Sequence, residues 1–246
     1  MSLRLLNSDQ PQPTPIALFN EDIVPQGQLH IELDDIGFVM GTTISERLRT
    51  FGGQLFQAEE HFSRLALSLE SLGLASVELL SRVQTAAVDI VAHNSGLCAT
   101  GSDLGLVVLI TPGRAGTNVP TVLVYSSALP FSEMHSWYSD GVALQVASYR
   151  QVPETCWPSH LKCRSRMHYY LADQEARSKQ STARALLLDQ HGNVAEASTA
   201  NLLIYNKDTG LVSPRKENIL PGISLLVLEN LAVQLGVNFQ YADFSA

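Results

Sequence analysis

The stretch Gln190–Asn206, QHGNVAEASTANLLIYN, places a single carboxylate between two segments that are typical of buried strands. The apolar run RALLL (184–188) precedes it, and NLLIY (201–205) ends it. Glu196 itself is surrounded by Ala, Ser and Thr, which are too small to cover a charge. Two interpretations are open from this stretch alone: Glu196 is a solvated turn residue, or it is a carboxylate with a chemical role.

The composition excludes several classes of partner. The chain has 246 residues, of which 45% are hydrophobic and 16% are charged, and its formal net charge is −8. This length provides for one large domain or two small ones with a sizeable core. The acidic balance argues against a nucleic-acid partner. No apolar run reaches the roughly 18–20 residues that cross a bilayer, so we also expect no membrane partner.

The cysteines and the N-terminus bear on the compartment and on metal binding. The three cysteines, Cys98, Cys156 and Cys163, are odd in number and form no C-x-x-C pair. This usage indicates a reducing compartment, with no disulfide framework and no metal site. The N-terminal stretch MSLRLLNSDQPQPTP has neither an apolar signal core nor a small-residue cleavage site. We therefore expect a cytoplasmic location.

Hydrophobic periodicity predicts helices and strands in both halves of the chain. Gly52-Gly53 separates two strand-like segments, which predicts a hairpin. Apolar residues in the following segment recur at three- and four-residue spacing, which is typical of an amphipathic helix ending near Gly73. Further helices are predicted over residues 77–93, 165–179 and 225–236.

Two connecting segments complete the prediction. GQLHIELDDIGF (27–38) alternates and then turns, which predicts a strand running into a loop. SSALPFSEMHS (126–136) has the composition of a linker. We therefore expect two α+β halves that meet near residues 125–133, with ligands bound in the crevice between them.

Lys162 is a candidate for covalent chemistry. It lies in CWPSHLKCRSR (156–166), between an aromatic, proline-containing loop and a predicted helix. A lysine at such a junction is usually a surface residue. If the crevice between the two halves desolvates it, the amine loses its proton readily and can form a Schiff base.

Two further segments are candidates for binding an anion. Arg64, at the edge of the apolar stripe of its helix, either pairs with Glu60 on a solvated face or reaches inward to an anion. In ILPGIS (219–224), the backbone N–H groups of Ile223 and Ser224 at the start of a helix are suited to a phosphate. The ordinary alternative there is a glycine turn followed by an N-cap serine.

The order and spacing of these features are specific when they are taken together. The chain contains E-x-H-x-x-R-L (59–65), the isolated Lys162, D-x-x-G-x-V-x-E-x-S-x-x-N (189–201) and L-P-G-I-S (220–224). This pattern closely resembles the class IV aminotransferases, also called the fold-type IV pyridoxal-phosphate enzymes. The family includes branched-chain and D-amino-acid aminotransferases and aminodeoxychorismate lyase. The resemblance covers nearly the whole chain, from about Ile31 to Val237.

The resemblance implies pyridoxal 5'-phosphate as the cofactor and five residues that hold it. Lys162 matches the lysine that forms the Schiff base and shuttles the substrate proton. Arg64 matches the arginine that binds the cofactor phosphate, and Ile223 and Ser224 match the pair that holds the same phosphate. Glu196 matches the carboxylate that pairs with the pyridinium nitrogen, where it keeps the ring protonated so that the ring can accept an electron pair.

The resemblance also implies the architecture. The expected fold is the two-domain α+β fold of the fold-type IV enzymes, with a smaller N-terminal α/β domain and a larger, β-rich C-terminal domain. We assign residues 1–127 to the N-terminal domain, which would carry the substrate specificity and the phosphate-binding arginine. Residues 128–246 would form the cofactor-binding domain, which we expect to lack its last segment. The family further implies a homodimer.

The expected reaction is transfer of an amino group between an amino acid, of branched-chain-like or D type, and a 2-oxo acid. The alternatives are a lyase that releases pyruvate from aminodeoxychorismate, and a catalytically weak protein that binds the cofactor. Candidate substrate-binding residues are Phe38, Met40 and Arg114. The tyrosine that bonds the cofactor's ring hydroxyl in the branched-chain enzymes corresponds by spacing to Met167, and Tyr169 follows two residues later.

Overall fold

A computed structural model describes residues 13–99 and 101–246, and its first part is built on one six-stranded antiparallel sheet. Its strands are β1 (Ile16–Phe19), β2 (Asp22–Pro25), β3 (Ile44–Phe51), β4 (Gln54–Leu55), β5 (Gly105–Thr111) and β6 (Thr121–Ser127). They lie in the order β2-β1-β6-β5-β3-β4. The predicted hairpin joins β3 to β4 through Gly52 and Gly53, whose φ angles of 59° and 79° favour glycine.

The helices of this part are α1 (Ile36–Val39), α2 (Ala58–Ser71) and α3 (Val77–Ser95). Helix α3 packs across β1, β5 and β6, and α2 packs on β3. The apolar stripe predicted for α2 is confirmed, since Phe62, Leu65 and Leu69 are buried in the core beneath it. In β3 the burial alternates from Glu46 onward: Glu46 and Leu48 are buried, whereas Arg47 between them is exposed.

The second part contains two three-stranded sheets. The first has the order β7-β8-β9, and the second has the order β10-β11-β12. Their strands are β7 (Leu144–Arg150), β8 (Arg184–Leu188), β9 (Val194–Ala197), β10 (Ile204–Asn206), β11 (Gly210–Ser213) and β12 (Phe239–Tyr241), and the helices are α4 (Phe131–Asp140), α5 (Met167–Lys179) and α6 (Ile223–Gln234). Helix α5 lies on β7 and β8, where buried alanines such as Ala172 and Ala176 permit close packing.

Two of the predicted connecting segments have a different structure. The segment predicted as a linker contains α4, which buries none of its residues, so no apolar stripe marks it in the sequence. The alternating segment 27–38 is not a strand: a short 3-10 helix (Gln26–Gln28) and a turn lead into α1. Leu33, which the alternation marks as apolar, is 81% exposed.

The mixture of helices and mostly antiparallel sheets confirms the α+β class. The six-stranded sheet lies within residues 16–127 and the smaller sheets follow it, although the domain boundary at 127/128 stays a prediction. Within the described ranges, no helix is long and apolar enough to cross a bilayer. The same residues contain no cluster of three or more His, Cys, Asp or Glu side chains that could hold a metal ion.

Candidate active site

A cavity of about 810 Å³ is lined by residues from both parts of the chain. All five residues predicted to hold the cofactor line it: Arg64 from α2, Lys162 from the loop before α5, Glu196 from β9, and Ile223 and Ser224 from α6. The structure therefore brings together side chains that lie as far apart in sequence as residues 64 and 224.

The backbone of Lys162 is held against the start of β3. Its carbonyl oxygen accepts a 2.8 Å hydrogen bond from the Ser45 N–H, and the Arg164 N–H donates to the Thr43 carbonyl at 2.8 Å. Residues 162–164 thus pair with this strand in an antiparallel manner at Ile44 and Cys163. This pairing fixes the point from which the lysine side chain enters the cavity.

The environment of Lys162 favours its neutral amine. Burial lowers the pKa of the side chain to about 8, and the positive charges of Arg64 and Arg166 act in the same direction. The negative charge of Glu46 opposes them only in part. Lys162 is half-buried and lines the cavity, so its interpretation as a solvated surface lysine is wrong; in its neutral form the amine is a nucleophile and can accept a proton.

Arg64 is buried and its ion-pair partner is Glu46, not Glu60. The guanidinium donates through Nε to Glu46 Oε2 at 3.0 Å and through Nη2 to Oε1 at 2.5 Å. His61 Nδ1 lies 2.9 Å from the same Oε1 atom. Nη1 donates to the Pro221 carbonyl at 2.7 Å, which brings the guanidinium to the loop that begins α6. Of the five N–H donors of an arginine, these contacts use three.

Glu46 is not assigned to the site by the sequence analysis. It lies on the face of β3 that α2 covers, so its contact with Arg64 depends on the packing of two elements. Burial raises the pKa of its carboxyl, but the hydrogen bonds and charges of His61 and Arg64 outweigh burial and hold the pKa below 4.5. Glu46 is therefore ionised at neutral pH and holds the arginine in place.

The N-terminus of α6 forms the other part of the anion-binding region. The helix begins at Ile223, and Gly222 is its N-cap residue without a side-chain cap. The alternative that Ser224 is an N-cap serine is therefore wrong, since Ser224 lies inside the first turn. A Cβ atom added to Gly222 would lie 1.9 Å from Asn201 Oδ1, so only glycine permits this close approach. The first N–H groups of a helix have no intrahelical partners and attract anions.

Glu196 is 5% exposed and its carboxylate accepts four hydrogen bonds. At Oε1 the donors are the Tyr169 hydroxyl and Gln151 Nε2, each at 2.5 Å. At Oε2 they are Asn201 Nδ2 and the Leu220 N–H, each at 3.3 Å. Burial raises the pKa of Glu196, and the bonds from Tyr169, Leu220 and Gln151 oppose the rise. The solvated-turn interpretation of Glu196 is wrong.

The residues of this cavity fit pyridoxal phosphate. Small side chains, including Ala197, Ser198 and Ala200, form part of the wall beside Glu196, where a flat ring needs room. Ser198 Oγ is buried and has no hydrogen-bond partner, which is unusual for a hydroxyl and is consistent with a polar ligand. Arg64 and the α6 N-terminus provide donors for a phosphate, and Lys162 provides an amine for an aldehyde.

Phe38, Met40 and Arg114 lie outside this cavity. Phe38 and Met40 are both exposed, in and just after α1. Arg114 is also exposed and forms a forked ion pair with Asp34, with Nε and Nη2 donating at 2.9 and 2.8 Å. Their role in substrate binding stays a prediction. The residues that the sequence analysis did not assign to the site are Glu46, Gln151 and Asn201, and of these Asn201 ends the D-x-x-G-x-V-x-E-x-S-x-x-N pattern.

Comparisons with known proteins agree with this geometry. The chain is 25% identical over 218 residues to a probable branched-chain-amino-acid aminotransferase of Rickettsia typhi, covering 88% of this chain and 74% of that protein. It is 23% identical over 236 residues to a D-alanine aminotransferase of Bacillus licheniformis, covering 91% of this chain and 77% of that protein.

Solved structures share the fold. The pyridoxal-phosphate-bound form of a hypothetical aminotransferase from Mycobacterium tuberculosis superposes with a TM-score of 0.81 at 22% identity, covering 94% of this chain and 82% of that one. The sequence model of the family described as amino-transferase class IV matches residues 43–246. Because that match spans most of the sequence, the chain belongs to the class IV aminotransferases, a family of pyridoxal-phosphate-dependent enzymes.

Proposed function

We propose that this protein transfers an amino group between an amino acid and a 2-oxo acid, with pyridoxal phosphate held by Lys162, Arg64, Glu196, Ile223 and Ser224. The observation that carries the proposal is their meeting in one cavity, where a lysine of lowered pKa lies with a buried carboxylate and an anion-binding helix terminus. When bound, the cofactor supplies an electron sink for the loss of the substrate's α-proton.

The chain's own residues divide the remaining work. Arg64 and the N–H groups at the start of α6 bind the phosphate, and Glu46 holds Arg64 in position for it. Glu196 offers a negative charge to the ring nitrogen. Lys162 accepts the substrate proton at Nζ and returns it. A pKa of about 8 suits this role, because a proton carrier is most effective when its pKa is near the working pH.

We infer a substrate of the branched-chain-like or D type. The support is the pair of similar proteins, a probable branched-chain-amino-acid aminotransferase and a D-alanine aminotransferase, which are at nearly equal identity and do not favour one type. The cavity offers apolar side chains such as Phe51, Phe56 and Trp157 beside the cations Arg47 and Arg49. This lining suits a substrate that has an apolar side chain and a carboxylate.

Further parts of the proposal rest on the family or on the sequence. Of these, the homodimer is what the family implies; the cytoplasmic location, the domain boundary at 127/128 and a substrate role for Phe38, Met40 and Arg114 are proposals from the sequence. Pyruvate release from aminodeoxychorismate is the alternative reaction, and the experiment below includes it as an outcome.

The test is the visible absorption of the purified protein with added pyridoxal phosphate. Lys162→Ala is expected to abolish the cofactor band, because no other lysine lines the cavity in the part of the chain that the structure describes. The matched control is Lys179→Ala, which removes an exposed lysine of α5 that pairs with Glu175. Absence of a band in the unmodified protein would refute the proposal.

The substrate is then identified by adding amino acids singly. Loss of the band on addition of an L-branched-chain amino acid or of D-alanine is the expected result and names the class. Pyruvate release from aminodeoxychorismate, with no spectral response to either amino acid, would replace the transaminase proposal by the lyase.

A further inference from the structure

The side chain five residues after Lys162 does not enter the site. Met167 begins α5 and is 70% exposed, and it does not line the cavity. Tyr169, two residues further along the helix, does line the cavity. Its hydroxyl is directed to Glu196 at 2.5 Å. The tyrosine of this chain therefore contacts the carboxylate at the nitrogen end of the proposed ring.

Gln151, which follows β7 directly, contacts both Glu196 and Tyr169. Its Nε2 atom donates to Glu196 Oε1 at 2.5 Å and to the Tyr169 hydroxyl at 2.9 Å. Its Oε1 atom accepts from the Val152 N–H at 3.1 Å and lies 3.1 Å from His168 Nε2. With its oxygen held by these contacts, the amide nitrogen points toward the carboxylate.

The hydroxyl of Tyr169 is fixed as a donor. Burial and the adjacent negative charge of Glu196 raise the pKa of Tyr169, so the phenol keeps its proton throughout the working pH range. Arg166 lies over the Tyr169 ring, with its guanidinium carbon 4.4 Å from the ring centroid, and it also donates to the Ser198 carbonyl. The ring is thereby held between α5 and the strand that carries Glu196.

We propose that Tyr169 and Gln151 are positioning residues, which fix the orientation and the negative charge of the Glu196 carboxylate for the ring nitrogen of the cofactor. The inference rests on the proposed function and adds two residues to it. Two short hydrogen bonds to one oxygen favour the ionised carboxylate and oppose the burial that raises its pKa. Without them, the pKa of Glu196 rises further and the carboxylate offers less negative charge to the ring.

The first measurement needs no cofactor. Glu196 is followed by NMR of protein labelled with ¹³C in its glutamate carboxyls, and its signal is identified by its loss in Glu196→Gln. Tyr169→Phe removes only the hydroxyl and is expected to raise the pH at which Glu196 takes up a proton. Tyr170→Phe is the matched control, because Tyr170 is 62% exposed and does not line the cavity. An unchanged titration in Tyr169→Phe would overturn the inference.

The second measurement uses the loaded protein. Tyr169→Phe is expected to weaken pyridoxal phosphate binding by roughly 10-fold, the effect of losing one hydrogen bond to a charged group. It is also expected to shift the pH dependence of the visible band. In a Glu196→Gln background the same change should have little further effect, because the hydroxyl acts through Glu196. A full 10-fold effect in that background would overturn the inference.

A second variant covers the case in which Tyr169→Phe folds poorly. Gln151→Leu is expected to move the Glu196 titration in the same direction, and no movement would count against the role of Gln151. The two proposals also fail differently. If the unmodified protein binds no pyridoxal phosphate, the proposed function is refuted, and the titration of Glu196 still decides whether Tyr169 and Gln151 control its charge.

Discussion

Glu46→Gln is expected to destabilise the protein strongly, although Glu46 is not among the residues assigned to the cofactor. The carboxylate is fully buried and receives two hydrogen bonds from Arg64, with His61 in contact. Glutamine has nearly the same shape but removes the negative charge, which leaves the Arg64 guanidinium buried without its counter-ion.

The magnitude follows from the burial of the pair. Removing one partner of a buried ion pair costs about 3–5 kcal/mol. Glutamine retains one oxygen that can accept from Arg64, so we expect the lower end, about 3 kcal/mol. For a chain of this size, each kcal/mol lowers Tm by about 2–4 °C, which gives a decrease of about 6–12 °C.

The assay is urea unfolding of the cofactor-free protein at neutral pH, with Glu59→Gln as the matched control. Glu59 is an exposed residue of α2, and its replacement is expected to change the free energy of unfolding by no more than about 0.5 kcal/mol. The double variant Glu46→Gln/Arg64→Gln should lose less than the sum of the two single losses, because no charge is left without its partner.

The pH dependence gives a second check on the reasoning. The folded-state pKa of Glu46 lies below 4.5, so its stabilising contribution is present above pH 4.5 and is lost as the pH falls through the folded-state pKa. The difference in the free energy of unfolding between the unmodified protein and Glu46→Gln should therefore become smaller at acid pH. Equal stability of Glu46→Gln and Glu59→Gln at neutral pH would refute the argument.

Two further predictions concern the cofactor itself. Because only the neutral amine reacts, borohydride trapping of pyridoxal phosphate on Lys162 should speed up about 10-fold per pH unit below pH 8 and level off above it; a rate that keeps rising in this way to about pH 10 contradicts the lowered pKa. Gly222→Ala should weaken pyridoxal phosphate binding about 10-fold or more, since its Cβ would lie 1.9 Å from Asn201 Oδ1. Gly27→Ala is the control, because no atom lies within 4 Å of the added Cβ, and it should bind pyridoxal phosphate normally. If the two variants bind pyridoxal phosphate with equal affinity, crowding at Gly222 is excluded.

The sequence predicts those parts of the fold whose signals are local. The apolar stripe of α2 and the hairpin at Gly52-Gly53 can be recognised in the sequence because each is set by burial or backbone geometry within a few consecutive residues. The exposed helix α4 has no buried face, so composition indicated a linker. The alternation in residues 27–38 predicts a strand that the structure does not have, because Leu33 is apolar but exposed.

The family pattern predicts residues that the structure places around one cavity, but not their contacts. Lys162, Arg64 and Glu196 follow from the spacing of the family pattern, which specifies residue types in order. The partner of Arg64 depends on how α2 lies over β3, so the spacing along α2 indicated Glu60 and could not indicate Glu46. The contact of Tyr169 with Glu196 likewise depends on where α5 meets β9, which no spacing along the chain reveals.

The pairing of residues 162–164 with the start of β3 joins the proposed cofactor lysine to a sheet that is synthesised before it. Lys162 is synthesised with the second part of the chain, yet its backbone is bonded to a sheet made of the first part. That sheet can form as soon as residue 127 has left the ribosome. The phosphate end of the site exists only after Ile223 has emerged and α6 has formed. A nascent chain that ends between residues 163 and 222 would carry Lys162 without the phosphate-binding groups proposed at the start of α6, so in the proposed function cofactor binding waits for α6 to form.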